Sequence, residues 1–107
     1  MENLKQIINI YCGVDGERLK LVKGKYSIYY RCPKYEKDNR DEYESVCTNN
    51  ISLKDKQYIC SIIQEKYNQG LLRENYEHNY MHIRFRIVSI NKNEIKVLVI
   101  NKKKIKF

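Results

Sequence analysis

One stretch of this 107-residue chain carries a long helical period, and it constrains the fold more than any other feature. Leu53, Ile59, Cys60, Ile62, Ile63 and Tyr67 form an apolar stripe at helical spacing. Ser52, with Asp55 three positions on, resembles a capping box, and Gly70 is placed to end the helix. The spacing predicts a helix over 52–69. Strand-like segments stand on both sides of it. Downstream, Met81, Ile83, Phe85 and Ile87 alternate with His82, Arg84 and Arg86, so residues 80–90 and 94–101 read as a hairpin around Asn91-Lys92-Asn93. A central helix between β segments, in a chain of single-domain length, predicts one small α+β domain over residues 1–107.

Upstream, residues 18–22 and 25–30 flank Lys23-Gly24, which suits a two-residue turn with glycine supplying positive φ. That register sets Leu21 opposite Tyr26 and Leu19 opposite Ile28 on an apolar face. Arg18, Lys20 and Tyr29 then share the other face with Arg31. Residues 4–11 are ambiguous: Leu4, Ile7, Ile8 and Tyr11 follow helical spacing, while the β-branched content allows a strand. The helical reading is slightly favoured. With a short helix over 41–47 it would give a winged helix-turn-helix, whose recognition helix is 52–69 and whose wing is the C-terminal hairpin. The α+β arrangement of an N-terminal ribbon-like hairpin, the helix and a C-terminal hairpin ranks ahead of it.

The formal charge is +8, and its placement matters more than its size. Lys, Ile, Asn and Tyr dominate and Ala and Trp are absent, a bias that AT-rich coding would produce. Codon drift alone would spread the lysines evenly, yet residues 80–107 carry 8 cations against one acid. Residues 1–34 carry 7 against 3, and an acidic stretch including Glu36, Asp38, Asp41, Glu42 and Glu44 separates the two. One-sided basic charge with aromatic rings is the footprint of a polyanion-binding surface. On the first hairpin it comprises Arg18, Lys20, Lys23, Lys25, Tyr29 and Arg31. In the C-terminal half it comprises Arg84, Arg86, Lys92, Lys96, Lys102, Lys103 and Lys104.

Cys12-Gly13, the stretch from Leu19 to Tyr26 through Lys23-Gly24-Lys25, and Tyr29-Tyr30-Arg31-Cys32-Pro33 together resemble a zinc ribbon. It looks most like the small C-terminal ribbons of bacterial type I topoisomerases, over residues 9–47. The resemblance implies a Lys-Gly-Lys-aromatic hairpin between two cysteine knuckles that hold a metal. Only Cys12, Cys32 and Cys47 match: the first knuckle position is Asn9, and a structural zinc takes four ligands. The spacing therefore favours a ribbon that has lost its metal and buried its cysteines as small apolar groups. One zinc ion is the alternative, with Cys60, His78 or His82 completing the set. A separate set of Cys47, Cys60, His78 and His82 has no finger spacing.

There is no Gly-rich phosphate loop, HExxH motif or nucleophile elbow, so the expectation is a protein that is not an enzyme. With neither a leader pattern nor a membrane-length apolar run, it is expected to be cytoplasmic, with its thiols reduced. The leading functional expectation is a small nucleic-acid-binding protein, DNA before RNA, serving a plasmid, phage or mobile element. The alternative is a homodimeric protein-interaction module that binds no nucleic acid.

Overall fold

The computed structural model describes residues 4–33, Cys47 and residues 49–103. The helix expected over 41–47, the acidic stretch at 36–44 and Lys104 lie outside them, apart from Cys47. The domain is α+β, with two sheets and one helix among the described residues. In chain order the elements are β1 (Ile7–Cys12), β2 (Lys20–Lys23), β3 (Ile28–Arg31), β4 (Asn50–Ser52), α1 (Leu53–Asn68), β5 (Glu77–Tyr80), β6 (Ile83–Ile90) and β7 (Glu94–Asn101).

The larger sheet runs β1-β7-β6-β5, with β1 parallel to β7 and the other pairs antiparallel. Its inner face is the core. Ile83, Phe85 and Ile87 of β6 and Ile95, Val97 and Val99 of β7 are buried, and Ile10 and Cys12 of β1 join them. Ile59 and Ile63 of α1 and Ile51 of β4 complete the same cluster. An irregularity between Ile87 and Ser89 shifts the β6–β7 register by one residue and so accommodates the adjacent apolar pair Ile87-Val88.

Residues 7–12 are a strand, which corrects the helical preference and removes the first helix of the winged arrangement. The reason is non-local. Ile8, Ile10 and Cys12 point to the core opposite Ile95, Val97 and Val99, while Ile7, which a helix would have buried, stays 66% exposed. β-Branched residues suit that pleated position.

The second sheet, β2-β3-β4, is antiparallel. Its hairpin pairs Lys20 with Arg31, Leu21 with Tyr30, Val22 with Tyr29 and Lys23 with Ile28. The connection is therefore Gly24–Ser27 rather than Lys23-Gly24, closed by a 2.7 Å bond from the Gly24 N–H to the Ser27 carbonyl. The slip is by an even number of residues, so the faces survive it: Lys20, Tyr29 and Arg31 still share one side. β4 sets the actual register, because Tyr30 pairs with buried Ile51. The expected apolar face is only partly covered, with Leu21 at 48% and Ile28 at 40% exposure.

α1 starts and stops where the sequence places it. Ser52 Oγ accepts from the Asp55 N–H, and the Asp55 carboxylate accepts from the Ser52 N–H. Gly70 takes a φ of +71° just past the end. Among the described residues no helix is long and apolar enough to cross a membrane.

Candidate functional site

The two sheets meet at a cluster of four side chains, Cys12, Asp15, Cys32 and Cys47, whose ligand atoms all lie within 4.8 Å of one another. Each comes from a different part of the frame. Cys12 ends β1 in the larger sheet, and Cys32 follows β3 in the smaller one. Cys47 lies in the segment leading to β4, and Asp15 sits in the turn after β1. Cys12 and Cys32 are fully buried.

The turn from Cys12 to Glu17 is tight. The Gly16 N–H donates to the Cys12 carbonyl at 2.8 Å, and the Cys12 N–H donates to the Glu17 carbonyl. The Val14 N–H points at Cys12 Sγ at 3.4 Å. Gly13 runs hard against β7: a Cβ there would lie 2.5 Å from Ile100 Cγ1 and 3.0 Å from the Val99 carbonyl oxygen. Only glycine lets the turn approach that closely. Beneath it, fully buried Asn49 donates to Cys12 Sγ at 3.1 Å and to the Val99 carbonyl at 2.9 Å, and accepts from the Asn101 N–H at 2.9 Å. One amide therefore ties the sulfur to the last strand.

The electrostatics suit a cation. Partial burial works against ionisation of Asp15, but hydrogen bonds outweigh it and hold the carboxyl below its ordinary value. The Cys32 thiol donates to its two oxygens at 3.0 and 3.3 Å, and the Glu17 N–H donates at 3.1 Å. Burial pushes the Cys47 thiol up to about 11, with Cys12 adding to the shift. In the metal-free chain the site therefore gathers three thiols around one carboxylate. Cys12 and Cys47 sulfurs stand 3.6 Å apart. Tetrahedral zinc with 2.3 Å bonds sets its sulfurs about 3.8 Å apart, close to the spacing of that pair, and the set as a whole is close enough to hold a metal ion.

The three cysteines named from sequence are thus brought together, and the fourth position belongs to Asp15, which sequence reasoning missed. Its signal was Cys12-Gly13-Val14-Asp15, a two-residue knuckle spacing read forward from Cys12 rather than back to Asn9. Asn9 points elsewhere, its side chain bonding Glu94 and Arg18. The proposed completing ligands are not in the cluster. His78 has Tyr58 Oη 3.1 Å from Nε2 and Tyr76 Oη 3.2 Å from Nδ1. His82 Nε2 faces Asp55 at 3.3 Å. Cys60 sits on α1, its thiol pKa raised by burial. The separate Cys47, Cys60, His78 and His82 set is likewise not assembled.

The basic residues fall on two surfaces. On the outer face of the larger sheet, Arg84 and Arg86 of β6 lie beside Lys96, Leu98 and Ile100 of β7 and Tyr11 of β1. Lys96 Nζ stands 4.5 Å over the Tyr11 ring. Arg18 belongs here rather than beside Lys20, because Tyr11 bridges to it and its guanidinium donates to Asn9 at 2.8 Å. Arg84 donates to Glu77 at 2.9 Å and holds that exposed carboxyl below its ordinary value. Lys92 marks the β6–β7 turn. On the second surface Lys20, Tyr29 and Arg31 share a face of the smaller sheet. Lys23 falls on the opposite face, and Lys25 caps the hairpin tip 5.5 Å from the Tyr26 ring. Lys102 and Lys103 follow β7 in an exposed turn. Compared with known proteins, the chain matches no family model, no curated protein and no solved structure.

Proposed function

We propose that this chain is a small, non-enzymatic nucleic-acid-binding domain, DNA being the favoured ligand, whose two sheets are held together by one zinc ion. The observation that carries the reading is the outer face of the four-stranded sheet. No described helix covers it, and Tyr11, Leu98 and Ile100 lie there beside Arg84, Arg86 and Lys96. Cations on an open sheet meet phosphates, and the Tyr11 ring on its edge strand packs against a sugar. The Cys12-x2-Asp15 knuckle, followed by a Lys-Gly-Lys hairpin that ends in Cys32, supports the likeness to topoisomerase-type zinc ribbons. Zinc in this site would be structural, since four protein ligands leave no position for substrate. Reduced thiols as ligands accord with a cytoplasmic protein, and the AT-biased composition with an accessory role for a mobile element.

Replacing Arg84 and Arg86 together with alanine is expected to weaken binding about tenfold or more at 50 mM salt. It should also lower the slope of log affinity against log salt by about two. Electrophoretic mobility shifts over a salt series measure both. A wild-type protein that shifts neither DNA nor RNA at micromolar concentration would overturn the reading. One observation favours the alternative of a homodimer: Leu21 and Ile28 share an exposed face of the hairpin, next to the free edge of β2. That reading predicts a dimer mass by light scattering, reverting to monomer when Leu21 and Ile28 become serine.

A further inference from the structure

A polar groove of about 440 Å³ opens where the basic face of the smaller sheet meets the end of β7 and the β5–β6 turn. Its lining includes none of the cations of the larger sheet's outer face. Its floor crosses two strands: Tyr29 of β3 pairs with Ser52, and Asn50 of β4 pairs with Arg31. His82 forms the opposite wall, on a two-residue turn whose first member, Met81, holds a φ of +51°.

The polar groups around this groove are mostly cationic or neutral. Lys20 and Arg31 lie on the same face as Tyr29. Lys102 and Lys103 are exposed beside the far wall, their backbone N–H groups donating to the His82 carbonyl at 2.8 Å and to Asn101 Oδ1 at 3.2 Å. Among the described residues the single lining carboxylate is Asp55, which accepts from the Ser52 N–H at 3.2 Å and faces His82 Nε2 at 3.3 Å. That contact orients the imidazole and leaves Nδ1 and the Tyr29 hydroxyl with no partner among the described residues. The Tyr29 ring rests over Gly24, where a Cβ would come within 3.0 Å of its Cε1.

We infer that this groove holds one unpaired nucleotide of a single strand, an assignment that rests on the nucleic-acid reading above. The volume suits a single small ligand. An aromatic ring at the floor stacks a base whatever its identity, and only an unpaired base can offer its face. His82 Nδ1 and the Asn50 amide meet the base edge or sugar. Lys102 and Lys103 take the flanking phosphates. Duplex ligands, whose bases are stacked on both sides, are left to the outer face with Arg84 and Arg86.

Fluorescence anisotropy at 50 mM salt tests this with a labelled thymidine strand of about 12 nucleotides and a hairpin duplex of equal charge. Tyr29→Ala and His82→Ala should each weaken strand binding, Tyr29→Ala by about tenfold, and leave duplex affinity within about twofold. Tyr29→Phe keeps the ring and should bind the strand as wild type. Circular dichroism checks that each variant is folded. Equal losses on strand and duplex, or an unchanged strand affinity in the folded Tyr29→Ala protein, would overturn the groove assignment alone. Failure of the wild-type protein to bind either probe would overturn the underlying reading as well.

Discussion

Stripping zinc with a chelator, or replacing Cys32 with serine, is expected to lower the unfolding midpoint by on the order of 20 °C. A ligand that binds only the folded state at a thousandfold excess over its dissociation constant adds about 4 kcal/mol. For a domain near 100 residues each kcal/mol moves the midpoint by roughly 4 to 8 °C. The cost is large here because the cluster joins the two sheets. Cys12 ends β1 and Cys32 follows β3, so an ion held there would add a second tie between two sheets that already share a core. Losing it also leaves thiols buried around a carboxylate. Asp15→Asn should keep the metal but weaken it about tenfold to a hundredfold, an extrapolation from the loss of supporting groups at metal sites. Cys60→Ser, on α1 and outside the cluster, should change neither metal content nor midpoint. Elemental analysis and calorimetry read all four cases. Less than about half a zinc per chain, with a midpoint indifferent to chelator, would refute the site.

The second large effect is expected at Asn49. Its leucine variant should lose about 2 to 3 kcal/mol in urea unfolding, because a buried donor left without its acceptor keeps its full desolvation penalty. The Asn101 N–H is that donor, since Asn49 Oδ1 is the acceptor it meets. Val99 is better protected, as its carbonyl also accepts from the Gly13 N–H at 2.8 Å. Asn49→Asp should be worse for the metal. A carboxylate cannot donate to Cys12 Sγ and would set a negative charge beside the thiolate. Zinc competition with a chromophoric chelator would show the aspartate variant weaker than the leucine one. A leucine variant within about 0.5 kcal/mol of wild type would show that the amide is not a linchpin.

What was legible in the sequence was local. The helix could be read because Ser52, Asp55 and Gly70 mark its ends and the apolar stripe marks its buried side. The β6–β7 hairpin could be read because alternation is a short-range signal. β1 was not, since Ile7-Ile8-Asn9-Ile10 satisfies both periods, and the partner that decides between them lies 87 residues away. β5 escaped because Glu77-His78-Asn79-Tyr80 is a polar edge strand with no apolar alternation to announce it. The hairpin turn was misplaced by chemistry that favours Lys23-Gly24 locally, whereas Tyr30 must meet Ile51, 21 residues on. The three cysteines named from the sequence lie together, and the group beside them is Asp15 rather than Cys60, His78 or His82. A search for thiol and imidazole ligands passes over a carboxylate, even at knuckle spacing.

The pairing of β1 with β7 also orders events in time. Ile7 through Cys12 cannot enter the sheet until Glu94 through Val99 exist, so the first strand made waits for the last one. All four cluster residues lie between positions 12 and 47 and leave the ribosome long before that. An ion held by these four would gather the N-terminal segment, the first hairpin and Cys47 while the rest of the sheet is still unmade. It would keep β1 at the place where β7 will arrive, shortening the loop that must close before the strands can meet. A joint in the finished molecule would thereby be a placeholder during its synthesis.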